Sequence, residues 1–231
     1  MNRFINSISS VSVVIPCHNE EVSIEKVIKA VSPGVKEILV VDNNCTDRTA
    51  EIAIRNGVRV VFEAKEGYGS SLKCGFRNAL GDIIVTLDGD NQYPPYKILD
   101  AVDFLISNDL DFVSASRFPL DDRGSMPKVR IVGNKALTWA TNSVFGLHLQ
   151  DALSGMWIFK RKLLPDLNLI SDDMPMTEEI KIRAATNSKI RFAEYHIPYH
   201  PRLGDSKLLP FRDGWKMLLF LFKLRKILHS D

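Results

Sequence analysis

The chain has 231 residues, 45% hydrophobic and 25% charged, which is the size and balance of one globular α/β domain with a sizeable core. A net charge of +2 is too small to argue for a nucleic-acid partner, and no long basic run supports one, so none is expected. Cys17, Cys45 and Cys74 are an odd set without close spacing, and read as reduced thiols rather than a disulfide or metal framework. The N-terminal MNRFINSISS lacks a signal-peptide core, and no stretch reaches the roughly 18 apolar residues of a membrane span.

The first half alternates strand and helix patterns. VSVVIP (11–16) is a continuous apolar run, as expected of a strand covered on both faces. NEEVSIEKVIKAV follows with Asn19 as its predicted N-cap and with Ile24, Val27, Ile28 and Val31 at helical spacing. EILVVD (37–42) is the second strand, TDRTAEIAIRNG (46–57) a helix closed by Gly57, and VRVVFE (58–63) the third strand. GSSLKCGFRNALG (69–81) is a helix, DIIVTLD (82–88) a strand, YKILDAVDFLISN (96–108) a helix and DFVSAS (111–116) a strand. This alternation predicts a mostly parallel, Rossmann-like sheet with helices on both faces. Ligands of such sheets bind beyond the carboxyl ends of the strands. Those ends carry Cys17–Glu20, Asp42–Asn44, Glu63 and Asp88–Asp90.

The second half is less regular. DDRGSMPKVR (121–130) reads as a charged, mobile loop, followed by a helix around 131–145. LQDALSGMWIFKRKLL has no assigned element, MTEEIKIRAATNS is a helix and IRFAEYHIPYHPR a late strand. The expected organisation is a single domain over 1–210 with an amphipathic, basic helix over 211–231. In that helix Trp215, Leu218, Leu219 and Phe222 share one face, while Lys216, Lys223, Arg225 and Lys226 supply charge. Such a helix suits the interface of an anionic membrane, or a place on the protein's own core or at a dimer interface.

The chemistry centres on VTLDGDNQYPP (85–95), where Asp88 and Asp90 flank one glycine at the end of a buried strand. A turn at Gly89 brings the two carboxylates together around a cation, and oxygen ligands beside a phosphate-bearing partner suit Mg²⁺ or Mn²⁺. An EF-hand loop beginning at Asp88 would need Gly and Glu where Tyr93 and Leu99 stand. A plain polar turn is the competing reading, because Asp-Gly is a common turn pair. His18, His148, His196, His200 and His229 form no metal pattern.

The motifs VVIPCHNEE, VVDNNCTDRT, GYGSSLKCGF, LDGDNQYPP, SASRF, SGMWIFKR and RLGDSKLLPFRDGWKML occur in an order that resembles family 2 glycosyltransferases of GT-A fold, in particular the branch of dolichyl-phosphate mannose synthase and other polyprenyl-phosphate glycosyltransferases. The resemblance covers about residues 11–217. It implies transfer of a sugar from a UDP- or GDP-linked donor to a polyprenyl (dolichyl or undecaprenyl) phosphate, with inversion, at the cytoplasmic face of a membrane. Carried over, Pro16, Asn19, Glu20 and Asp42 hold the nucleotide. Asp88 and Asp90 engage ribose and metal with Gln92 as a further oxygen ligand, and Glu179 lies near the donor. Arg117, Arg130, Arg202, Ser206 and Lys207 handle the acceptor phosphate, with Asp88, Asp90, Arg117 and Arg202 the catalytic set. An anionic phosphate acceptor needs less general-base help than a sugar hydroxyl. Asn43 and Asn44 depart from the mannose synthase pattern, which leaves base and sugar open. Two alternatives stand beside this reading: a transferase for a soluble saccharide acceptor, and a non-catalytic nucleotide-sugar-binding protein. A nucleotidyltransferase is disfavoured, because no N-terminal Gly-rich phosphate loop is present.

Overall fold

The computed structural model describes residues 10–122, 124–204, 206 and 210–228. Seven strands form one sheet in the order β3-β2-β1-β4-β6-β5-β7. They are β1 Val11–Cys17, β2 Glu37–Asp42, β3 Arg59–Phe62, β4 Ile83–Thr86, β5 Phe112–Ser116, β6 Trp157–Lys160 and β7 Phe192–His196. Only β6 runs against its neighbours β4 and β5. The helices are α1 Ile24–Ala30, α2 Thr49–Arg55, α3 Tyr68–Asn78, α4 Ile98–Ser107, α5 Lys128–Phe145, α6 Leu164–Leu167, α7 Met176–Thr186 and α8 Pro210–Leu228.

The central strands β1, β4, β5 and β6 are mostly apolar because both faces are covered, whereas the edge strands β3 and β7 are only part-buried and carry polar residues. Val13, Ile15, Val40, Val85, Val113 and Ile158 point to one core with Ile24, Val27, Ile98 and Leu105. Their alternates Val14, Leu39, Val41, Ile84, Phe112 and Trp157 point to a second core with Leu72, Phe76, Ile180 and Ala184. The period-2 pleat thus sorts one apolar run into two cores. A third, smaller cluster joins Ile182 of α7 to Leu221 and Leu224 of α8.

Several local expectations meet a different arrangement. Asn19 does not cap α1: Glu20 O accepts from Ser23 N and Ile24 N, and the helix begins there. The second helix starts at Thr49 rather than near Thr46, because the Thr46 and Asp47 amides donate to the Asn19 side chain. Residues 128–130 belong to α5 rather than to a loop, and Ser125 and Met126 just before it are buried. Leu218 is partly buried in the third cluster, so the exposed apolar face of α8 comprises Phe211, Trp215, Leu219 and Phe222. No described helix is long and apolar enough to cross a membrane.

Candidate active site

The strand order reverses between β1 and β4: β2 and β3 lie on one side of β1, and the later strands on the other. Loops leaving β1 and β4 diverge there and open a crevice. Pro16 sits on this edge. Cys17 O accepts from Asn43 N on the β2 side and Val14 O from Leu87 N on the β4 side, so alternation turns the nitrogen of Pro16 toward β4. β4 pairs with β1 only as far as Thr86, so no ladder bond is lost there by a residue without an N–H.

Three rim loops are stitched together below this crevice. Asn19 adopts φ 55° and its Oδ1 accepts from Thr46 N at 2.7 Å, tying the β1 loop to the β2 loop. Asp42 Oδ1 accepts from Cys45 N at 2.8 Å and turns the chain after β2. Asn43 donates from Nδ2 to Glu63 O and Lys65 O and accepts from Gly67 N, while Asn44 donates to Glu63 O and Ala64 O. The two asparagines that depart from the mannose synthase pattern therefore bind the β2 loop to the β3 loop.

The Asp-Gly-Asp turn closes against the end of β1. Ser23 Oγ donates to Gly89 O at 2.7 Å, and a Cβ on Gly89 would stand 2.9 Å from Cys17 Sγ. A side chain at this position would have to displace the Cys17 thiol, and glycine avoids that. Asp88 Oδ1 accepts from the Tyr68 hydroxyl at 2.9 Å. Enclosure by protein and the adjacent Asp90 push the Asp88 carboxyl up to about 7. Asp90 is 4% exposed, and its carboxyl is also raised by burial, against the pull of Arg202. Arg202 bridges two loops, with Nη1 2.5 Å from Asp90 Oδ2 and Nη2 2.5 Å from Glu20 Oε1. Leu203 N donates to Asp90 O at 3.1 Å, so the segment leaving β7 is fastened onto the turn.

Other expected residues occupy supporting places. Gln92 is buried; its backbone N donates to Asp90 Oδ1 at 3.0 Å and its Nε2 to His200 O at 3.3 Å, so it shapes the turn and ties it to the β7 exit. Glu179 is fully buried, its carboxylate accepting from Ile170 N, Ser171 N and Arg183 Nε. It anchors the 170–172 segment, whose Asp172 O accepts from Ser70 N at the start of α3. Arg117 is 7% exposed and forks onto Asp151, with Nε 2.7 Å from Oδ2 and Nη2 2.8 Å from Oδ1. Its guanidinium also lies 5.2 Å from the ring centre of Tyr199. This differs from an open phosphate ligand: a guanidinium in low dielectric is held by the carboxylate that compensates it. Arg130 reaches Ser206 through a hydrogen bond at the rim. Lys207 lies outside the described residues.

Residues that sequence reasoning missed complete the floor. Tyr68 stood in the GYGSS motif without an assigned role. Tyr93 accepts from Gly155 N at 2.6 Å. A Cβ at Gly155 would lie 2.7 Å from the Tyr68 hydroxyl and 3.4 Å from Asp88 Oδ2, so the 151–155 segment packs directly under the carboxylate. Buried Lys181 donates to Asp151 O at 3.0 Å and Ser154 O at 2.9 Å and holds that segment from behind. Burial lowers its ammonium to about 7. Glu178, on the same helix, is fully buried, neither oxygen has a hydrogen-bond partner among the described residues, and burial raises its carboxyl to about 8. Neither lysine nor glutamate interrupts the helix pattern, so no local signal marks them as buried.

The sequence and fold that carry this site have counterparts in known proteins. The family model described as glycosyl transferase family 2 matches residues 12–167. The chain belongs to that family. It is 33% identical over 219 residues to the low-salt glycan biosynthesis hexosyltransferase Agl6 of Haloferax volcanii, a match covering 92% of this chain but 53% of Agl6, so it spans about half the length of that relative. It is 32% identical to a dolichyl-phosphate hexose transferase of the same organism, over 88% of each chain. Glucosyl-3-phosphoglycerate synthase from Mycobacterium tuberculosis, solved with Mn²⁺, UDP-glucose and phosphoglyceric acid, superimposes with a TM-score of 0.73 at 26% identity, covering 94% of this chain and 80% of the other. The same enzyme with Mg²⁺ and UDP gives 0.71 at 26% identity, covering 94% and 79%. The fold of this family 2 member is thus the expected GT-A type, and the expected Mg²⁺ or Mn²⁺ agrees with these relatives.

The residues present fit such a cation. Asp88 and Asp90 lie side by side two residues apart, both enclosed by protein, with Arg202 the cation that meets Asp90, so oxygen ligands of the kind Mg²⁺ and Mn²⁺ take are gathered there. Mg²⁺ is commonly held through one or two carboxylates, with substrate phosphates completing its shell. Accordingly, no group of three or more His, Cys, Asp or Glu able to cage a metal occurs among the described residues.

Proposed function

We propose that this family 2 glycosyltransferase moves a sugar from a nucleoside-diphosphate donor to a polyprenyl phosphate at a membrane surface, giving a lipid-phosphate-linked monosaccharide. The observation that carries the reading is the chain of contacts from the carboxylate turn to the rim cations. Asp90 holds Arg202, the segment after Arg202 carries Ser206, and Ser206 meets Arg130 at the start of α5. An acceptor phosphate would find two guanidinium groups beside the donor diphosphate, and guanidinium matches phosphate oxygens in a bidentate fork. The similarity to a dolichyl-phosphate hexose transferase supports the lipid acceptor. The cytoplasmic face of the membrane, where nucleotide sugars are made, is the corresponding location.

In this scheme the loops around Pro16, Asn19, Glu20 and Asp42 cradle the nucleoside, and Asp88 and Asp90 hold Mg²⁺ or Mn²⁺. When bound, the cation neutralises the diphosphate and eases its departure. Arg202 relinquishes Asp90 and Glu20 as the donor complex forms and turns to the acceptor phosphate with Arg130, Ser206 and Lys207. A phosphate oxygen then attacks the anomeric carbon in line; its new C–O bond forms as the bond to the nucleoside diphosphate breaks, with inversion. The nucleophile is already anionic, so positioning and electrostatics carry the rate rather than a base. Arg117, Gln92 and Glu179 act as positioning residues behind the site.

The solved neighbours favour a second reading, a soluble phosphorylated acceptor, because one of them is bound to phosphoglyceric acid. The deciding experiment offers labelled UDP- and GDP-sugars with Mn²⁺ to the protein, once with a polyprenyl phosphate in detergent and once with phosphoglycerate. Metal-dependent label in the organic phase, lost in Asp90→Ala, supports the lipid acceptor. Label only in the aqueous product would replace it with the soluble one. Donor binding without product in either phase would leave a binding protein.

A further inference from the structure

The segment beneath Asp88 is held by ionisable side chains from three separate elements. Glu194 of β7 accepts from Gln150 N at 2.6 Å and from Asp151 N at 3.1 Å. Arg117, leaving β5, forks onto the Asp151 carboxylate. Lys181 of α7 reaches the same segment and donates to Asp151 O and Ser154 O. Lys181 and Asp151 are wholly buried and Arg117 nearly so. Burying ions costs stability that apolar side chains of similar volume avoid. A methionine at 181 would occupy the same space on α7, so the charge points to a use beyond packing.

The bond to Ser154 matters most to the site. Ser154 O and Gly155 N are the two ends of one peptide group. Lys181 Nζ takes the carbonyl at 2.9 Å, and Gly155 N donates to the Tyr93 hydroxyl at 2.6 Å. Trp157 Nε1 also donates to Ser154 O, at 2.8 Å. Gly155 itself packs on the Tyr68 hydroxyl and on Asp88 Oδ2. One peptide group thus stands between a lysine behind the floor and the carboxylate in front of it.

The titratable and charged groups that face Lys181 are the Asp151 carboxylate, the Arg117 guanidinium, Glu194 and, one turn earlier on its own helix, Glu178. Arg117 offsets Asp151 and Lys181 offsets Glu194, so the cluster is balanced while Glu178 keeps its proton. Burial raises Glu178 to about 8 and lowers Lys181 to about 7, so Lys181 is the first of the two to lose a proton. That loss removes the charge that roughly doubles the strength of its hydrogen bonds, and leaves Glu194 uncompensated within the cluster.

We infer that Lys181 is a positioning residue for sugar transfer: its ammonium clamps the 154–155 peptide that floors Asp88, and the floor stays in place only while that proton is held behind the site. The inference rests on Asp88 as the cation-bearing carboxylate of the proposed transferase and is indifferent to the acceptor.

Three measurements on the full chain test it. ¹³Cε-lysine NMR gives the protonation midpoint of Lys181. Deuterium exchange at the Ala152, Leu153 and Gly155 amides, without ligand, reports the floor. Turnover of a labelled UDP- or GDP-sugar at saturating Mg²⁺, with an acceptor or with water, is followed from about pH 6 to 9. At the Lys181 midpoint, exchange should accelerate about tenfold beyond its intrinsic rise, and kcat should fall about ten- to a hundredfold with the donor KM unchanged. Lys181→Met should show the loosened floor and low kcat throughout, with no further alkaline loss. Glu178→Gln copies the protonated carboxyl and removes the anion that would help to hold the Lys181 proton. Its Lys181 midpoint should fall and the alkaline limb of turnover should fall with it, which keeps the test decisive if Lys181→Met does not fold. Wild-type kcat in Lys181→Met would overturn the inference, as would an alkaline limb that lies away from the wild-type midpoint or stays in place when Glu178→Gln moves it. Exchange that follows the midpoint in a protein binding neither Mg²⁺ nor a nucleotide sugar would retain the clamp and remove the transferase reading. A metal-dependent transferase whose floor and alkaline limb ignore Lys181 would do the reverse.

Discussion

Replacing Tyr68 with phenylalanine removes one hydroxyl from the floor of the crevice. That hydroxyl donates to Asp88 Oδ1 at 2.9 Å, in a place where burial and Asp90 have already pushed the carboxyl up to about 7. A donor to the charged form works against that shift. Hydrogen bonds to charged groups contribute about 1.5–3 kcal/mol, and about 1.4 kcal/mol corresponds to one pH unit, so its loss raises Asp88 by roughly one to two pH units. A cation competes with the proton for the carboxylate. At pH 7 the ionised fraction of Asp88 falls from about one half to between roughly a tenth and a hundredth, and Mn²⁺ affinity falls about five- to fiftyfold. By pH 9 the difference shrinks to about twofold or less. Isothermal titration of Mn²⁺ without donor, from pH 6 to 9.5, measures this directly. Wild-type affinity at pH 7 would refute the assignment of Asp88 as the tuned ligand. A deficit that persists unchanged at pH 9 would show that Tyr68 acts through geometry instead.

Gly155→Ala should reproduce the same alkaline displacement of Mn²⁺ binding, because its methyl would stand 2.7 Å from the Tyr68 hydroxyl; an unchanged profile would mean the 151–155 segment does not press on Asp88. Arg117→Met should destabilise the fold by about 3–5 kcal/mol in urea unfolding, because Asp151 would remain buried and unpaired, and Arg117→Met/Asp151→Asn should recover part of it. A folded Arg117→Met with wild-type stability and only a raised acceptor KM would instead make Arg117 a direct phosphate ligand. Glu178→Met should stabilise the protein at pH 8.5 by about 1–3 kcal/mol. The folded state retains the Glu178 proton up to about 8 while the unfolded chain releases it near the ordinary glutamate value of 4.5, so this group lowers stability as pH rises through that window. Unfolding at pH 5 and 8.5 should accordingly show the variant's advantage only at the higher pH. Lys181 has the opposite sign: its folded form loses the proton near 7 and the unfolded chain near 10.5, so its contribution grows as pH rises between them, and the stability lost in Lys181→Met should increase from pH 7 to 10.

The strand runs, the Asp-Gly-Asp turn and the ordered motifs were legible because each is local. An apolar run covered on both faces looks the same wherever it sits in the sheet, and a turn carries its own glycine. β6 was not legible: WIFK is a short run, and its antiparallel insertion depends on pairing with β4 across more than 70 residues of chain and with β5 across more than 40. Asn19 misled for a related reason. It suits a helix cap by residue type, but the β2 loop offers its side chain two backbone amides, and those tertiary donors prevail over the local helix start.

By itself, the sequence determined a parallel α/β sheet, the rim where polar residues collect, and the two carboxylates that the family motif requires. It also determined that the last helix has an apolar face and a basic one. The tertiary structure alone decided which partners each charged residue meets. Arg117 and Glu179 have the composition of site residues, and the fold buries them beside Asp151 and Arg183, whereas Arg202 is brought from beyond β7 to lie between Asp90 and Glu20. The physical reason is that a side chain's charge is written in its residue type, while the dielectric and the partners that decide its use are assembled only when distant segments pack together.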